Sequence, residues 1–290
     1  FVEDVMRFLD NVMTDFINRA PEEFAHAKYS AMRERSVGLG VMGLHSFFQQ
    51  KNIPFGSVMS KVWNKKIFKN IQEKVDAASV SLAEERGSCP DAEEYGIKER
   101  FSNKTAIAPT ASISIICGGS SPGVEPIAAN SYTHKTLSGS FNVRNKYLKK
   151  ILQKYKKDTD DVWSSITTNQ GSIAHLNFLT AEEKDIFKTA FEIDQRWIVE
   201  LGADRTPHIS QAQSINIFIP ADIHKKDLHD LHFQAWKKGL KSLYYCRSKS
   251  IQRAENVNKG SSTDVTKNVY SQGQESNNES NNYEECLSCQ

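Results

Sequence analysis

Residues 214–246, "SINIFIPADIHKKDLHDLHFQAWKKGLKSLYYC", constrain the fold more than any other stretch of the chain. Two short apolar runs, "SINIFIP" and "SLYYC", enclose a polar segment with helical spacing. Brief runs rich in Ile, Phe and Tyr, bounded by Pro or Gly, are the pattern of buried strands. Between them Asp222 is placed to cap a helix, Leu228, Leu231 and Trp236 to face inward, and Gly239 to end it. A strand, a helix and a strand in that order form a βαβ unit, because parallel strands need a crossover of a dozen residues or more. The chain is therefore expected to be α/β, with parallel strands. "TAIAP" (105–109) supplies a third candidate strand.

Two further helices lie in the N-terminal third. Apolar residues at Val2, Val5, Met6, Leu9, Val12, Met13, Phe16 and Ile17 fall at steps of three and four and define one helical face. A second helical tract runs over Val58–Arg86 and stops at "RGSCP". After about residue 256 periodicity vanishes, and a run of Asn, Ser, Gln, Lys, Glu and Thr is expected to be a disordered tail. The domain reading is thus 1–255 folded and 256–290 tail. At 290 residues there is ample chain for a core.

Charge narrows the function classes. With 37 basic and 35 acidic side chains interspersed, net +2, there is no basic stripe for nucleic acid and no polybasic membrane anchor. No apolar run approaches the roughly 20 residues that span a bilayer. The start, "FVEDVMRFLDNV", lacks the basic and apolar blocks of a secretion signal. Beginning without Met inside a helix pattern, it suggests a piece of a longer or split protein. Five cysteines, three of them isolated in sequence, suit a reducing cytoplasm.

"GLGVMG" sets Gly38, Gly40 and Gly43 in the spacing of a dinucleotide fingerprint. That fingerprint needs a buried strand before it, and "AMRERSV" is too polar to be one. Close packing or a tight turn explains the glycines at less cost, and a nicotinamide dehydrogenase is disfavoured. In "AIAPTASIS", Pro109 sets a turn, and Thr110, Ala111 and Ser112 open a helix. Backbone N–H groups and hydroxyls at a helix start attract anions such as phosphate, although an ordinary capped turn fits the local pattern better. Tyr244 and Tyr245 are adjacent, so in a regular strand they point to opposite faces, and core packing accounts for one and a helix-facing layer for the other. Their chemistry suggests more, since neighbouring phenols can pass a one-electron vacancy along. His224, His229 and His232 lie on the intervening helix at spacing ill suited to a shared metal and decorate its solvated face.

The terminal "CLSC" carries Cys286 and Cys289. Half a zinc site lacks a second ligand pair, whereas a redox dithiol needs only the two thiols. A tether of ~28 residues has a root-mean-square span on the order of 30 Å. Fully stretched it reaches roughly 95 Å. A dithiol on such a cable can enter a pocket, exchange electrons and swing out to a carrier.

A phosphate-gripping turn, a late tyrosine pair and a terminal dithiol, in this order, resemble the C-terminal part of the large catalytic subunit of class I ribonucleotide reductase. The likeness runs through "RSVGLGVMGLHSFF", "IAPTASIS", "SPGVEPIAANSYTHKTLSGSF", "ISQAQSINIFIP", "AWKKGLKSLYYCRSKS" and "ECLSC". It implies the second half of a ten-stranded α/β barrel that reduces ribonucleoside diphosphates at the 2′ carbon. The matching phosphate turn is Thr110, Ala111, Ser112 and Ile113, where many relatives carry a fourth hydroxyl in place of Ile113. Tyr244 and Tyr245 match the radical-transfer pair, with Tyr245 receiving the oxidising equivalent and Tyr244 passing it to a thiyl-forming cysteine. Cys286 and Cys289 match the dithiol that re-reduces the active-site disulfide. No cofactor is expected on this chain. A dinuclear metal and tyrosyl radical would sit in a separate small subunit, and thioredoxin or glutaredoxin would supply electrons. A class II enzyme, using adenosylcobalamin, would not need the tyrosines.

The sequence lacks the family's Asn-x-Cys-x-Glu radical-cysteine motif, and Cys89, Cys117 and Cys246 lie in no matching motif. The expectation is that the N-terminal part of the large subunit is a separate polypeptide, without which this chain is inactive. The competing reading is a non-catalytic protein that docks thioredoxin through its tail.

Overall fold

The computed structural model describes residues 1–136 and 139–248. In chain order the helices and strands are α1 (Val2–Arg19), α2 (Ala25–Glu34), α3 (Leu44–Gln50), α4 (Val58–Arg86), α5 (Pro90–Glu94), α6 (Ala111–Ile116), β1 (Ser131–Thr136), β2 (Gly139–Arg144), α7 (Lys146–Lys154), α8 (Asp160–Thr168), α9 (Ala181–Ile186), α10 (Gln195–Arg205), β3 (Ile217–Ile219), α11 (Lys225–Lys237) and β4 (Cys246–Ser248). The tail, residues 256–290, lies outside the described residues.

Parallel backbone pairing organises the chain. Val37 and Leu39 N–H donate to the carbonyls of Asn103 and Lys104, and Ala106 N–H donates back to Leu39. On the other side of this segment, Ile107 N–H donates to Ala212 and Ser214 N–H to Ile107. β3 in turn pairs in parallel with β4, Ile217 opposite Cys246. Residues 37–39, 103–107, 211–219 and 244–248 therefore lie side by side, each crossover carrying helices. The expected βαβ unit is present, as are parallel strands. "TAIAP" is not a full strand: it makes single bridges, Leu39 with Thr105 and Ile107 with Gln213.

The glycines of "GLGVMG" serve this packing. A Cβ on Gly40 would sit 2.7 Å from the Ala106 carbonyl oxygen, and one on Gly38 would press to 3.1 Å from the Ala106 Cβ. Two extended segments can approach this closely only where one lacks side chains.

Val58–Arg86 is one helix, as expected. Ser57 caps it through a reciprocal box with Ser60, and Gly87 ends it at φ 84°. Its buried residues Phe68, Val75, Ala78 and Leu82 divide between two clusters. In one, Phe68 joins Phe48, Phe55, Ile107, Val124, Leu201, Ile215 and Phe218 beneath the parallel array. In the other, Val75, Ala78 and Leu82 meet Met6, Val37 and Phe101. The inward face of α1 is narrower than its apolar pattern: Met6 is buried, but Val12 and Phe16 are exposed.

Three details of the βαβ segment differ from expectation. His224, not Asp222, caps α11, accepting the Lys226 N–H on its ring. Trp236 is 72% exposed, and Ala235 takes the inward place beside Leu231. Strand β4 starts after the tyrosines, at Cys246.

Asp10, fully buried on α1, gathers Arg35, Arg86 and Arg100. Its Oδ1 accepts from Arg35 Nη2 at 2.6 Å and Arg100 Nε at 2.9 Å, and its Oδ2 from Arg86 Nη1 at 2.8 Å. Burial raises the carboxyl pKa, but the Arg100, Arg86 and Arg35 hydrogen bonds outweigh it and hold the group below the usual carboxylate range. Asp10 thereby pins α1 to the ends of α2 and α4. Asp10→Ala should cost about 3–5 kcal/mol in chemical denaturation, because it strands buried guanidiniums without a counter-charge.

Candidate functional site

The segment after Ile107 leaves the parallel array at Pro109 and turns into α6 through Thr110, which adopts the left-handed conformation at φ 53°. Ala111, Ser112 and Ile113 form the first turn of the helix, and Ser114 N–H makes the bond back to Thr110. Ser112 and Ile113 are exposed and Thr110 is half-buried. The expected turn and helix start are therefore in place at the carboxyl end of a central segment, where α/β folds bind ligands. The Thr110 hydroxyl does not cap its own helix; it accepts the Gly123 N–H at 2.8 Å. Its own proton stays available to an anion.

Loop 120–126 lies beneath this turn. A Cβ on Gly123 would stand 2.9 Å from the Ala108 oxygen, and Gly123 holds φ +46°, so glycine alone fits the contact without strain. The loop is tied to α3 as well. Ser46 and Ser121 exchange hydrogen bonds, each hydroxyl accepting the other's N–H at 3.1 and 2.8 Å.

The tyrosines stand on the neighbouring side of the array. Their ring centroids are 4.2 Å apart with planes inclined at 52°. Both are partly open, at 40% and 42% exposure, so neither is core. The opposite-face expectation fails for a backbone reason. Tyr244 N–H donates to the Ile215 carbonyl and Ile217 N–H donates to the Tyr245 carbonyl. Two residues thus oppose the single residue Asn216, which is the bonding of a β-bulge, and a bulge breaks the alternation of side chains. The Arg247 guanidinium sits 5.6 Å from the Tyr245 ring centre.

Register relates the two features. Thr110 lies three residues beyond Ile107, and Asn216 three beyond its partner Gln213. Turn and tyrosines therefore occupy the same end of the array. Between them stands Glu125, buried, its Oε1 accepting the Asn216 N–H at 2.8 Å and Oε2 the Asn216 Nδ2–H at 3.1 Å. Burial lifts the Glu125 carboxyl above the usual range, against the pull of the Asn216 hydrogen bonds and of the Arg247 and Arg205 charges. No local motif in the sequence singles out Gly123, Glu125 or Asn216. The available signal was a polar residue inside each apolar run, Asn in "INIFI" and Glu between Val124 and Pro126.

A cavity of about 320 Å³ borders the other side of α6, lined by Ser114, Ile115, Asn130, Tyr132, Asn145 and Tyr147 among others; neither Tyr244 nor Tyr245 reaches it. Cys286 and Cys289 lie outside the described residues. Among the described residues no helix is long and apolar enough to cross a membrane, and no group of three or more His, Cys, Asp or Glu is arranged to hold a metal.

Comparison with known proteins identifies the architecture. The family model for the ribonucleotide reductase barrel domain matches residues 1–99 and 91–246. The ribonucleoside-diphosphate reductase large subunit of Invertebrate iridescent virus 6 is 49% identical over 261 residues, covering 89% of this chain and 27% of that protein. The large subunit of Caenorhabditis elegans is 32% identical, over 82% of this chain and 34% of its own length. Among solved structures, the alpha subunit of the Actinobacillus ureae class Id ribonucleotide reductase superposes with a TM-score of 0.80 at 39% identity, covering 90% of this chain and 47% of that one. The chain thus spans less than half the length of each of these relatives. A parallel array whose crossovers carry helices, matched from residue 1 to 246, leaves one assignment: the chain belongs to the ribonucleotide reductase barrel-domain family.

Proposed function

We propose that this chain provides the substrate-phosphate turn, the radical-transfer tyrosines and the reducing tail of a class I ribonucleotide reductase large subunit. The contact between the Tyr244 and Tyr245 rings, 4.2 Å between centroids and both reachable from solvent, carries the reading. Rings this close suit transfer of a single electron, and their partial exposure suits receipt of it from another protein.

In this reading a ribonucleoside diphosphate sets its phosphates on Thr110, Ala111, Ser112 and Ile113. The backbone N–H groups of the helix start and the Thr110 and Ser112 hydroxyls hold them, and Ile113 contributes only its N–H. Tyr245 takes the oxidising equivalent from the small subunit, whose dinuclear metal and tyrosyl radical are the implied source. Tyr244 passes it to a cysteine, which becomes the thiyl radical. Each phenol gives up its proton with its electron and recovers both when the vacancy moves on. The radical cysteine and the substrate-reducing pair belong to the rest of the large subunit, since no Asn-x-Cys-x-Glu occurs here. Overall, the 2′ C–OH bond is replaced by C–H, the hydroxyl leaves as water, and two thiols supply the electrons as they close to a disulfide. Cys286 and Cys289 then reopen that disulfide by thiol exchange and become a disulfide themselves, which thioredoxin or glutaredoxin reduces. We place the reaction in the cytoplasm, where such carriers keep thiols reduced.

Three measurements test this. With the rest of the large subunit, the small subunit, thioredoxin and a ribonucleoside diphosphate present, Tyr244→Phe should reduce deoxynucleotide formation to background. Reduction of the tail by thioredoxin should continue unchanged; full turnover in this variant would end the radical-transfer reading. Replacing Cys286 and Cys289 together by Ser should stop thioredoxin-driven turnover after the thiols already present are consumed, and a small dithiol added directly should restore it. Gly123→Ala, by pushing against the turn that holds Thr110, should raise the KM for the diphosphate roughly tenfold, about 1.4 kcal/mol of binding.

A further inference from the structure

We infer that Glu125 and Asn216 are positioning residues for the tyrosine pair: together they hold the bulge that puts both phenol rings on one side of the sheet. In a regular parallel ladder one residue of β4's segment would oppose Asn216, and Tyr244 and Tyr245 would point to opposite faces. The observed bonds insert one residue more. Tyr244 N–H and Tyr245 C=O complete the ladder around Asn216, which leaves the Tyr245 N–H without a ladder acceptor. Asn216 Oδ1 accepts it at 3.0 Å.

That side chain is itself oriented by the carboxylate. Asn216 is 1% exposed and Glu125 5%, so neither relies on water. Glu125 accepts both the backbone N–H and the Nδ2–H of Asn216. With both of its oxygens accepting, the carboxyl group turns the amide nitrogen toward itself and leaves Oδ1 facing Tyr245. The reverse orientation would set Nδ2–H against the Tyr245 N–H and expel the bulge. Burying a carboxylate is costly, and here it is matched by two donors from one residue. Because Glu125 belongs to the loop whose Gly123 donates to Thr110, one loop sets both the anion turn and the spacing of the rings.

Without the clamp, the segment relaxes toward regular register and one ring turns away. The consequence for turnover rests on the radical-transfer reading; the geometry does not. The two are separated by labelling the full 290-residue chain with 3-fluorotyrosine and assigning the Tyr244 and Tyr245 resonances with single Tyr→Phe variants. Asn216→Ala and Glu125→Ala should shift or split both resonances while the remaining fluorotyrosines keep theirs. Glu125→Gln, which loses one of the two bonds and keeps the shape, should do so by a smaller amount and guards against a variant that fails to fold. In the reconstituted reductase Asn216→Ala should lose roughly tenfold to hundredfold in kcat, as expected for reacting groups displaced by about 1 Å, with KM for the diphosphate and affinity for the small subunit unchanged. Unchanged resonances in folded Asn216→Ala protein would overturn the inference whatever the activity. Shifted resonances with full kcat would equally overturn it, since the clamp would then not serve the reaction. If the unaltered chain supports no turnover in the reconstituted reductase, the functional reading fails, and the resonances still decide whether the clamp holds the rings.

Discussion

Residues 211–219, buried from Ile215 to Ile219, must satisfy backbone donors and acceptors on both edges, and the rest of the described structure follows from how they do it. One edge is met by 105–107, through Gln211, Ala212, Ser214 and Ile107. The other is met by the tyrosine segment and β4. A central strand fed from both sides in parallel requires long crossovers, and these bring α10 and α11 against the array, while α4 comes from the crossover between 37–39 and 103–107. The array has apolar side chains on both faces for the same reason: Ile215 and Phe218 join one cluster, Ile217 and Ile219 another.

At the end of this array the regular pattern breaks twice. After Ile107 the chain turns at Thr110 in a left-handed conformation, and before β4 it inserts a bulge at the tyrosines. Both departures are stabilised by one loop. Gly123 donates to the Thr110 hydroxyl, Glu125 orients Asn216, and the paired Ser46 and Ser121 bonds fasten the loop to α3. Irregular backbone must be held by its surroundings, and here the holding groups are buried and hydrogen-bonded to one another.

Much of the architecture was legible in residue order. The 29-residue α4 was readable from end to end because its periodicity, its Ser57 cap and its Gly87 stop agree. The βαβ unit was readable from two apolar runs around one helical segment. Finer assignments failed where neighbours in space decide. His224 took the cap of α11 from Asp222, and Trp236 faces outward because Ala235 is what fits against Val199 and Ile217. "TAIAP" bridges without forming a full strand since Pro109 removes a donor and turns the chain away.

Local order in the chain determined which groups this protein has to work with: hydroxyls and N–H groups at a turn after Pro109, two adjacent phenols, and a terminal pair of thiols. It also determined parallel α/β folding, because apolar periodicity and crossover length are properties of neighbouring residues. Whether the phenols touch was not among them. Adjacent residues in a strand alternate faces, and only a bulge opposite Asn216, oriented by a carboxylate 91 positions earlier, brings the rings together. A bond between residues so far apart in the chain leaves no periodic trace, so it exists only once the array has folded.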